Sequence, residues 1–222
     1  MTEFASDYLI LKPLNFGNGP DCEECGLPLG LMVWLPPHRV EISVWGKECP
    51  DAVFGAGSEI LISNRMKEMI ENEKVLGFNG FEPVDLVRIK RMRHKNAKYD
   101  VPQYYRVDIV NSTAKIDFAA SDFETLFPVT CRRCQYNMPV RWNRLVLDPG
   151  SAGFEDVFYA MGLSGTIFAS KRFKDLCDQY KLRNTIFIPA LEYAHDLYPG
   201  GEKAVQEMRA LGQPDLGEIL KK

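Results

Sequence analysis

Two cysteine motifs carry the residue types and the spacing that indicate chemistry in this sequence. They are Cys22-x-x-Cys25 and Cys131-x-x-Cys134. A CxxC motif places two thiolates on one tight turn, where both reach a cation at about 2.3 Å. Four thiolates close the tetrahedron around Zn²⁺ and leave no position for water or substrate, as in structural sites. The sequence therefore predicts one structural zinc held by these four cysteines. Iron in the same tetrahedron, and thiols or disulfides without a metal, are the alternatives.

The other two cysteines do not share this spacing. Cys177 falls on the apolar face of a predicted helix, where a thiol acts as a small hydrophobic side chain. Cys49 stands before Pro50 and has no counterpart elsewhere in the chain, so we interpret it as a lone thiol. A role for Cys49 as a further ligand is the less favoured alternative.

The elements around the motifs repeat once along the chain. Residues 60–69 align without gaps on residues 167–176, with the shared pattern Ile-apolar-x-Ser-x-Arg-apolar-Lys-acid-apolar. The first CxxC precedes Ser63 by 41 residues, and the second precedes Ser170 by 39. Such ordered self-similarity predicts an internal duplication. We expect a single domain over residues 1–222 with related halves at about 20–90 and 129–195, an insertion at about 91–128 and a helical tail at about 196–222.

Each half reads as a CxxC turn, a strand, a capped helix and a second strand. Ser63 and Ser170 are predicted N-caps, because a serine hydroxyl accepts a hydrogen bond from an otherwise unpaired helical N–H. Gly77 and Asn184 tolerate left-handed backbone and are predicted to stop the helices. The second strand is expected around Phe81-Glu82-Pro83 in one half and around Phe187-Ile188-Pro189 in the other.

The insertion has the alternation of apolar and polar residues that strands show. Residues 104–110 and 114–118 alternate in this way, and Asn111-Ser112-Thr113 separates them. This pattern predicts an inserted β-hairpin. The predicted fold class is therefore α+β, with two related strand–helix–strand halves that share one zinc site.

Composition restricts the function classes. The chain has 222 residues, a net charge of −3, no basic apolar leader and no apolar run long enough to cross a membrane. We expect a soluble cytoplasmic protein. The three histidines are far apart in sequence and no catalytic motif is found, so we predict that the chain is not an enzyme.

Two alternative functions stay open. A basic stretch, Arg88–Lys98, beside a zinc knuckle is typical of a nucleic-acid-binding or regulatory module. The acidic pI of about 5.7 opposes it, and the stretch alternates as an exposed strand with one buried face does. A CxxC thiol redox protein is the second alternative, but the first motif runs into Gly26-Leu27-Pro28, a loop, where redox motifs open a helix.

The two CxxC motifs, the segment of residues 167–176 and the following Phe187-Ile188-Pro189 resemble the bacterial double-CXXCG motif proteins. These belong among the immunity proteins of contact-dependent polymorphic toxin systems. Gln135 departs from the family pattern, which has glycine after the second cysteine pair.

The resemblance implies a non-catalytic cytoplasmic inhibitor that binds and neutralises a cognate toxin. An acidic inhibitor suits a basic toxin. Interface hot spots favour tyrosine, so the aromatic residues of the insertion, Tyr99, Tyr104 and Tyr105, are the candidate partner-binding residues. Packing of these residues in the core of a hairpin is the alternative.

Overall fold

The structure is a computed structural model and describes residues 8–10, 16–17, 21–27, 29, 33–55, 59–94, 100–126, 128–151, 153–196 and 205–206. The described residues form strands, two α-helices and a short 3-10 helix at Ala190–Glu192. The first strands and helix are β1 (Tyr8–Ile10), β2 (Phe16–Gly17), β3 (Val33–Trp34), β4 (Arg39–Val44), β5 (Ala52–Phe54), β6 (Ile60–Ser63) and α1 (Asn64–Asn72). Next are β7 (Phe78–Pro83), β8 (Asp85–Arg91), β9 (Tyr104–Ile109), β10 (Asn111–Lys115), β11 (Glu124–Thr125) and β12 (Pro139–Trp142). The last are β13 (Val157–Met161), β14 (Ile167–Ala169), α2 (Lys171–Gln179) and β15 (His195–Asp196). The α+β class is confirmed.

Seven strands form the largest sheet, in the order β7-β9-β6-β5-β1-β4-β8. Its neighbours are mostly antiparallel, while β1 runs parallel to β5 and β4 runs parallel to β8. Three smaller sheets have the orders β10-β13-β14, β11-β12-β15 and β2-β3.

The large sheet has a core cluster on each of its faces. On strand β6, Ile60 and Ile62 join one core cluster with the apolar faces of both helices, while Leu61 joins a second cluster on the other face. The alternation follows from the two-residue period of a strand. The strand predicted before Ser63 is β6, and all four of its residues are buried. The strand predicted before Ser170 is β14, in which only Phe168 is buried.

The two helices begin as predicted. The hydroxyl oxygen of Ser63 accepts a hydrogen bond from the N–H of Met66 (3.2 Å), and that of Ser170 accepts one from the N–H of Phe173 (3.1 Å). Each bond satisfies one of the N–H groups that a helix start leaves unpaired. We call β6 with α1, the turn that follows it to Gly77, and Asp51 the first module, and β14 with α2, the turn that follows it to Asn184, and Asp156 the second module.

The helices end earlier than the sequence suggested. Lys74 and Lys181 take φ values of +52° and +51°, three residues before the predicted stops at Gly77 and Asn184. The N–H of Val75 donates to the carbonyl of Ile70 (3.0 Å), and the N–H of Leu182 donates to the carbonyl of Cys177 (2.9 Å). This is the Schellman arrangement, which two lysines adopt here in place of glycine. Gly77 and Asn184 also have positive φ values, but in the turn that follows each helix.

The inserted hairpin was predicted wrongly. Strand β9 pairs with β6 and β7, and β10 belongs to a different sheet beside β13. Residues 111–113 lie in β10 and form no turn. The alternating pattern identified both strands, but their partners are fixed by contacts far away in sequence, which alternation does not encode.

A second expected strand is absent too. Residues 185–189 have no strand structure, and Ile186 and Ile188 are exposed by 64% and 39% while Phe187 packs on the core cluster of the helices. Of the two strands predicted to follow the helices, the described residues therefore contain only the one after α1, which is β7. The predicted helical tail at about 196–222 lies outside the described residues except for residues 196, 205 and 206, of which the last two are helical.

The chain divides into two compact units. The first comprises residues 1–112, 153–160 and 164–187, and it contains the seven-stranded sheet and both modules. The second comprises residues 113–152, 161–163 and 188–222. Within it, the rings of Phe118, Phe123 and Trp142 stack in a row with centroid distances of 4.7 and 5.3 Å. Over the described residues, no helix has the length and apolarity needed to cross a membrane.

Candidate metal centre

The first cysteine turn begins at Cys22 and is closed by backbone hydrogen bonds. The N–H of Gly26 donates to the carbonyl of Cys22 (2.7 Å), and the N–H of Cys22 donates to the carbonyl of Leu27 (2.7 Å). Gly26 has a φ of +71°, which glycine adopts without steric cost. These bonds fix the backbone that carries Cys22 and Cys25.

The second turn has the same closing bond with a different residue. The N–H of Gln135 donates to the carbonyl of Cys131 (3.1 Å), and Gln135 has a φ of +52°. A side chain in this left-handed region costs roughly 1 kcal/mol. The N–H of Tyr136 donates to the Sγ of Cys134 (3.4 Å), so this sulfur is already held as an acceptor. The backbone conformation of residue 135 therefore favours glycine, which is the residue that the double-CXXCG motif proteins have at this position.

The structure brings the four predicted ligands together. The Sγ atoms of Cys22, Cys25, Cys131 and Cys134 all lie within 4.8 Å of one another. Sulfurs bound to one tetrahedral zinc are about 3.8 Å apart, so the four thiols are close enough to hold one metal ion. Cys25 is exposed and the other three are buried. Four thiolates would fill a tetrahedral shell and leave no position for a substrate.

The remaining cysteines lie outside this group. Cys177 is fully buried in the core cluster of the helices, at the place that Ile70 takes in the first module, as predicted. Burial raises the pKa of the Cys177 thiol to about 12. Burial also raises the pKa of the Cys49 thiol, although a hydrogen bond with Tyr104 acts in the opposite direction. Both are neutral thiols at pH 7.

Neither CxxC motif has the setting of a redox centre. Catalytic motifs of that kind place the reactive thiol at a helix N-terminus, whose partial positive charge stabilises the thiolate. Residues 26–27 and 135–138, which follow the two motifs, are not helical. The local backbone thus favours metal binding over thiol–disulfide exchange.

The tyrosine candidates are not an exposed aromatic group. Tyr104 is 1% exposed, and its hydroxyl donates to the carbonyl of Pro50 (2.8 Å), so it belongs to the core and cannot contact a partner. Tyr105 is half-buried against the core cluster of the helices, and the Lys67 ammonium lies 5.3 Å from its ring centroid. Tyr99 lies outside the described residues. Tyr104 and Tyr105 are consecutive in β9 and so lie on opposite faces of the sheet, where a core cluster covers each of them.

The sequence did not reveal two aspartates that explain the repeated Ser-x-Arg. In the first module, Asp51 accepts hydrogen bonds from the hydroxyl of Ser63 (2.7 Å) and from the guanidinium of Arg65 (2.8 Å). In the second, Asp156 accepts from the hydroxyl of Ser170 (2.8 Å) and from Arg172 (2.6 Å). The only signal in the sequence is an aspartate 12 or 14 residues before each serine.

Each aspartate is also bound by the other module. Asp51 accepts from the N–H of Arg183 (2.8 Å), and Asp156 accepts from the N–H of Leu76 (3.1 Å). Leu76 and Arg183 occupy matching positions in the turns that follow α1 and α2. The helix C-caps themselves meet, since the hydroxyl of Tyr180 donates to the carboxylate of Glu73 (2.7 Å). We call this exchange of bonds the reciprocal clasp.

Comparison with known proteins gives one match. The model of an immunity protein family, Imm11, matches residues 45–192, about two-thirds of the chain. The match contains both modules and the second cysteine turn, and it begins after the first. It confirms the resemblance to immunity proteins but does not test the double cysteine motif. No curated protein matches the chain.

Proposed function

The chain belongs to the immunity protein family Imm11, and we propose from this membership that it binds a protein toxin and neutralises it in the cytoplasm. The family match over residues 45–192 is the observation that carries the proposal. The matched segment contains the reciprocal clasp and most of the large sheet. The proposed inhibitor thus acts through the surface of this scaffold.

The scaffold has the properties that an inhibitor needs. A preformed surface loses little conformational entropy on binding, so more of the contact energy appears as affinity. The seven-stranded sheet has a core cluster on each face, and the clasp fixes the ends of both helices through carboxylates that are at most 10% exposed. We propose that the chain inhibits by occupying the toxin and has no catalytic activity of its own.

We further propose that the four-cysteine group holds one structural zinc. Zinc and iron both accept four thiolates in a tetrahedron. Zinc undergoes no redox change and imposes no geometry of its own, which suits a purely structural role. Among the described residues, no other group of three or more Cys, His, Asp or Glu side chains is close enough to hold a metal. The metal would be bound by Cys22, Cys25, Cys131 and Cys134.

Co-expression tests the inhibitor function. The toxin probe is the product of the gene adjacent to the one that encodes this chain, expressed from a tightly controlled promoter in a sensitive host. We expect the wild-type chain to restore growth and to co-purify with the toxin. An unrelated immunity protein, expressed to the same level, is the control and should give no rescue. Full toxicity in the presence of the folded chain would overturn the proposal.

Elemental analysis tests the metal. Protein purified under reducing conditions without added zinc should contain about one zinc per chain. The double variant Cys22→Ser/Cys131→Ser should lose it, because two ligands cannot hold a structural zinc against buffer. The matched control Cys49→Ala/Cys177→Ala removes two cysteines from outside the group and should keep the metal. Less than about a tenth of a metal per wild-type chain would overturn the zinc site.

A further inference from the structure

Strand β8 lies at one end of the seven-stranded sheet. It pairs in parallel with β4, and the N–H of Met92, just after the strand, still donates to the carbonyl of Val44 (2.9 Å). No described strand pairs with the outer edge of β8. Alternate residues of a strand direct their backbone groups to opposite edges. The outer edge therefore presents the backbone donors and acceptors of every second residue of this seven-residue strand.

Three of the five exposed residues of this strand are cationic. Arg88 and Lys90 lie two residues apart and so on one face of β8, both exposed. No ion pair joins either of them to another residue of the described chain. Residues 85–94 contain four arginines and lysines and one aspartate, within a chain of net charge −3. A local positive field thus marks this edge in an otherwise acidic protein.

Apolar contacts hold the strand in place from its inner side. Leu86 and Ile89 pack on the core cluster that contains Trp34 and Tyr104. Val87 stands where the register between β4 and β8 shifts, and it is 51% exposed. Met92, at the end of the strand, is 38% exposed. The edge is therefore rigid, with apolar contact area beside its charges.

Cations and bulges on edge strands also prevent unwanted pairing between copies of a protein. The cations of β8 can both prevent pairing between two copies of this chain and recognise a partner. Two β8 edges repel one another through Arg88 and Lys90, whereas an acidic strand is attracted by the same charges. Charge thus selects which chain can add to the sheet. A nucleic acid fits less well, because β8 has no aromatic residue on which a base could stack.

We propose that the outer edge of β8 binds an extended acidic segment of the toxin, which adds to the sheet as a further strand. Backbone hydrogen bonds would supply affinity, and contacts of acidic side chains with Arg88 and Lys90 would supply specificity. This inference rests on the proposed inhibitor function. It goes further by assigning the surface and the chemistry of the segment that it binds.

Charge reversal tests the surface on the toxin itself. The variant Arg88→Glu/Lys90→Glu should bind the toxin of the rescue experiment at least about tenfold more weakly. The matched control Lys171→Glu/Lys174→Glu makes the same change of charge on the exposed face of α2 and should bind like wild type. Equal thermal melting of both variants excludes unfolding. If Arg88→Glu/Lys90→Glu binds as tightly as wild type, the edge is not the binding surface, although the inhibitor function stands.

Synthetic probes test the same edge without a toxin. A ten-residue peptide that alternates glutamate and valine should bind the wild-type chain and lose affinity for Arg88→Glu/Lys90→Glu. Its lysine counterpart should not bind. A version of the acidic peptide methylated on alternate amide nitrogens keeps the charge but cannot pair along one edge, so it should bind about tenfold more weakly.

The remaining outcomes of this second experiment overturn the inference. Equal binding of the methylated and unmethylated acidic peptides would mean attraction without strand addition. If a single-stranded oligonucleotide binds in a salt-sensitive way and the acidic peptide does not bind, the edge is a nucleic-acid-binding surface. If wild type fails to rescue growth, the toxin function fails, and the peptides alone decide whether the edge accepts an acidic strand.

Discussion

The turn after helix α1 contains Leu76 and Gly77, whereas the turn after helix α2 contains Arg183 and Asn184 at the matching positions. In both turns the backbone N–H of the first residue binds the aspartate of the other module. Only the second turn adds side-chain contacts: the guanidinium of Arg183 lies 3.5 Å from the Asp51 carboxylate and also pairs with Glu48. The Leu76 side chain is 54% exposed. Backbone geometry is thus what the two turns share, and side-chain contacts strengthen only the second turn.

The second residue of each turn shows the same distinction. Gly77 and Asn184 both have positive φ values, of +113° and +63°. A Cβ on Gly77 would lie 1.8 Å from the carbonyl oxygen of Val157. Asn184 has room for its side chain, which donates to the carbonyl of Ala52 (2.7 Å). Equivalent positions therefore tolerate different residues, depending on how close the neighbouring backbone lies.

Removing the central carboxylates should produce the largest effects. We expect Asp51→Ala to reduce the free energy of unfolding by about 3 kcal/mol, because it leaves the buried hydroxyl of Ser63 and the N–H of Arg183 without an acceptor. Asp156→Ala should cost less, about 2 kcal/mol, since this carboxylate is more exposed and lacks a second guanidinium. Urea unfolding monitored by circular dichroism measures both. Equal losses would show that the contacts of Arg183 do not strengthen the clasp.

The glycine of the first turn should be the next most sensitive position. Gly77→Ala combines a strained φ with overlap against the Val157 backbone, and we expect it to cost about 2–3 kcal/mol. Asn184→Gly loses one hydrogen bond but gains backbone freedom at positive φ, so its cost should stay below about 1 kcal/mol. Thermal melting of the two variants ranks them directly. A larger loss for Asn184→Gly would contradict the difference between the two turns.

The helix caps should give a smaller difference. Ser63→Ala and Ser170→Ala each remove an N-cap and should cost about 1–2 kcal/mol. Ser63→Ala should lie at the upper end because Ser63 is 1% exposed, whereas Ser170 is half-buried. Threonine at either position keeps the hydroxyl and should restore most of the stability. Alanine variants as stable as wild type would show that the caps are dispensable.

The cysteine turns extend the comparison, again with glycine in the first turn and a larger residue in the second. Gln135→Gly should increase the free energy of unfolding by about 0.5–1 kcal/mol, because it relieves the left-handed backbone and removes a buried amide oxygen without a hydrogen-bond partner. Gly26→Ala should reduce it by about 1 kcal/mol through φ alone, since a Cβ there meets no atom within 4 Å. Chemical unfolding of zinc-loaded protein tests both. A destabilising Gln135→Gly would mean that the glutamine side chain supports the turn.

The features that the sequence predicted correctly are local ones. The N-caps and the buried faces of both helices follow from residue types a few positions apart, which is the distance over which helical bonds act. The cysteines were grouped from chemistry instead, because two thiolates on one turn are half of a tetrahedral site. No other feature of the sequence argued against the helix predictions or against the grouping of the four cysteines.

The features that were predicted wrongly or missed depend on contacts between distant residues. Alternation marked β9 and β10 as strands but could not show that only Val110 separates two strands of different sheets. For the same reason the sequence left open whether Tyr104 binds a partner or packs in the core, and the structure places it in a core cluster. The clasp joins each aspartate to a turn about 80 or 130 residues away, a relation that no local pattern signals.

Titration of a purified toxin with the purified chain tests the central claim most directly. The toxin is the one from the rescue experiment, and its activity on its own substrate is followed as the chain is added. We expect the activity of the toxin to fall linearly and to reach zero at about one chain per toxin molecule, independent of incubation time. Complete loss at about a hundredth of an equivalent, growing with time, would reveal catalytic turnover. That result, or undiminished activity at excess chain, would contradict a stoichiometric immunity protein.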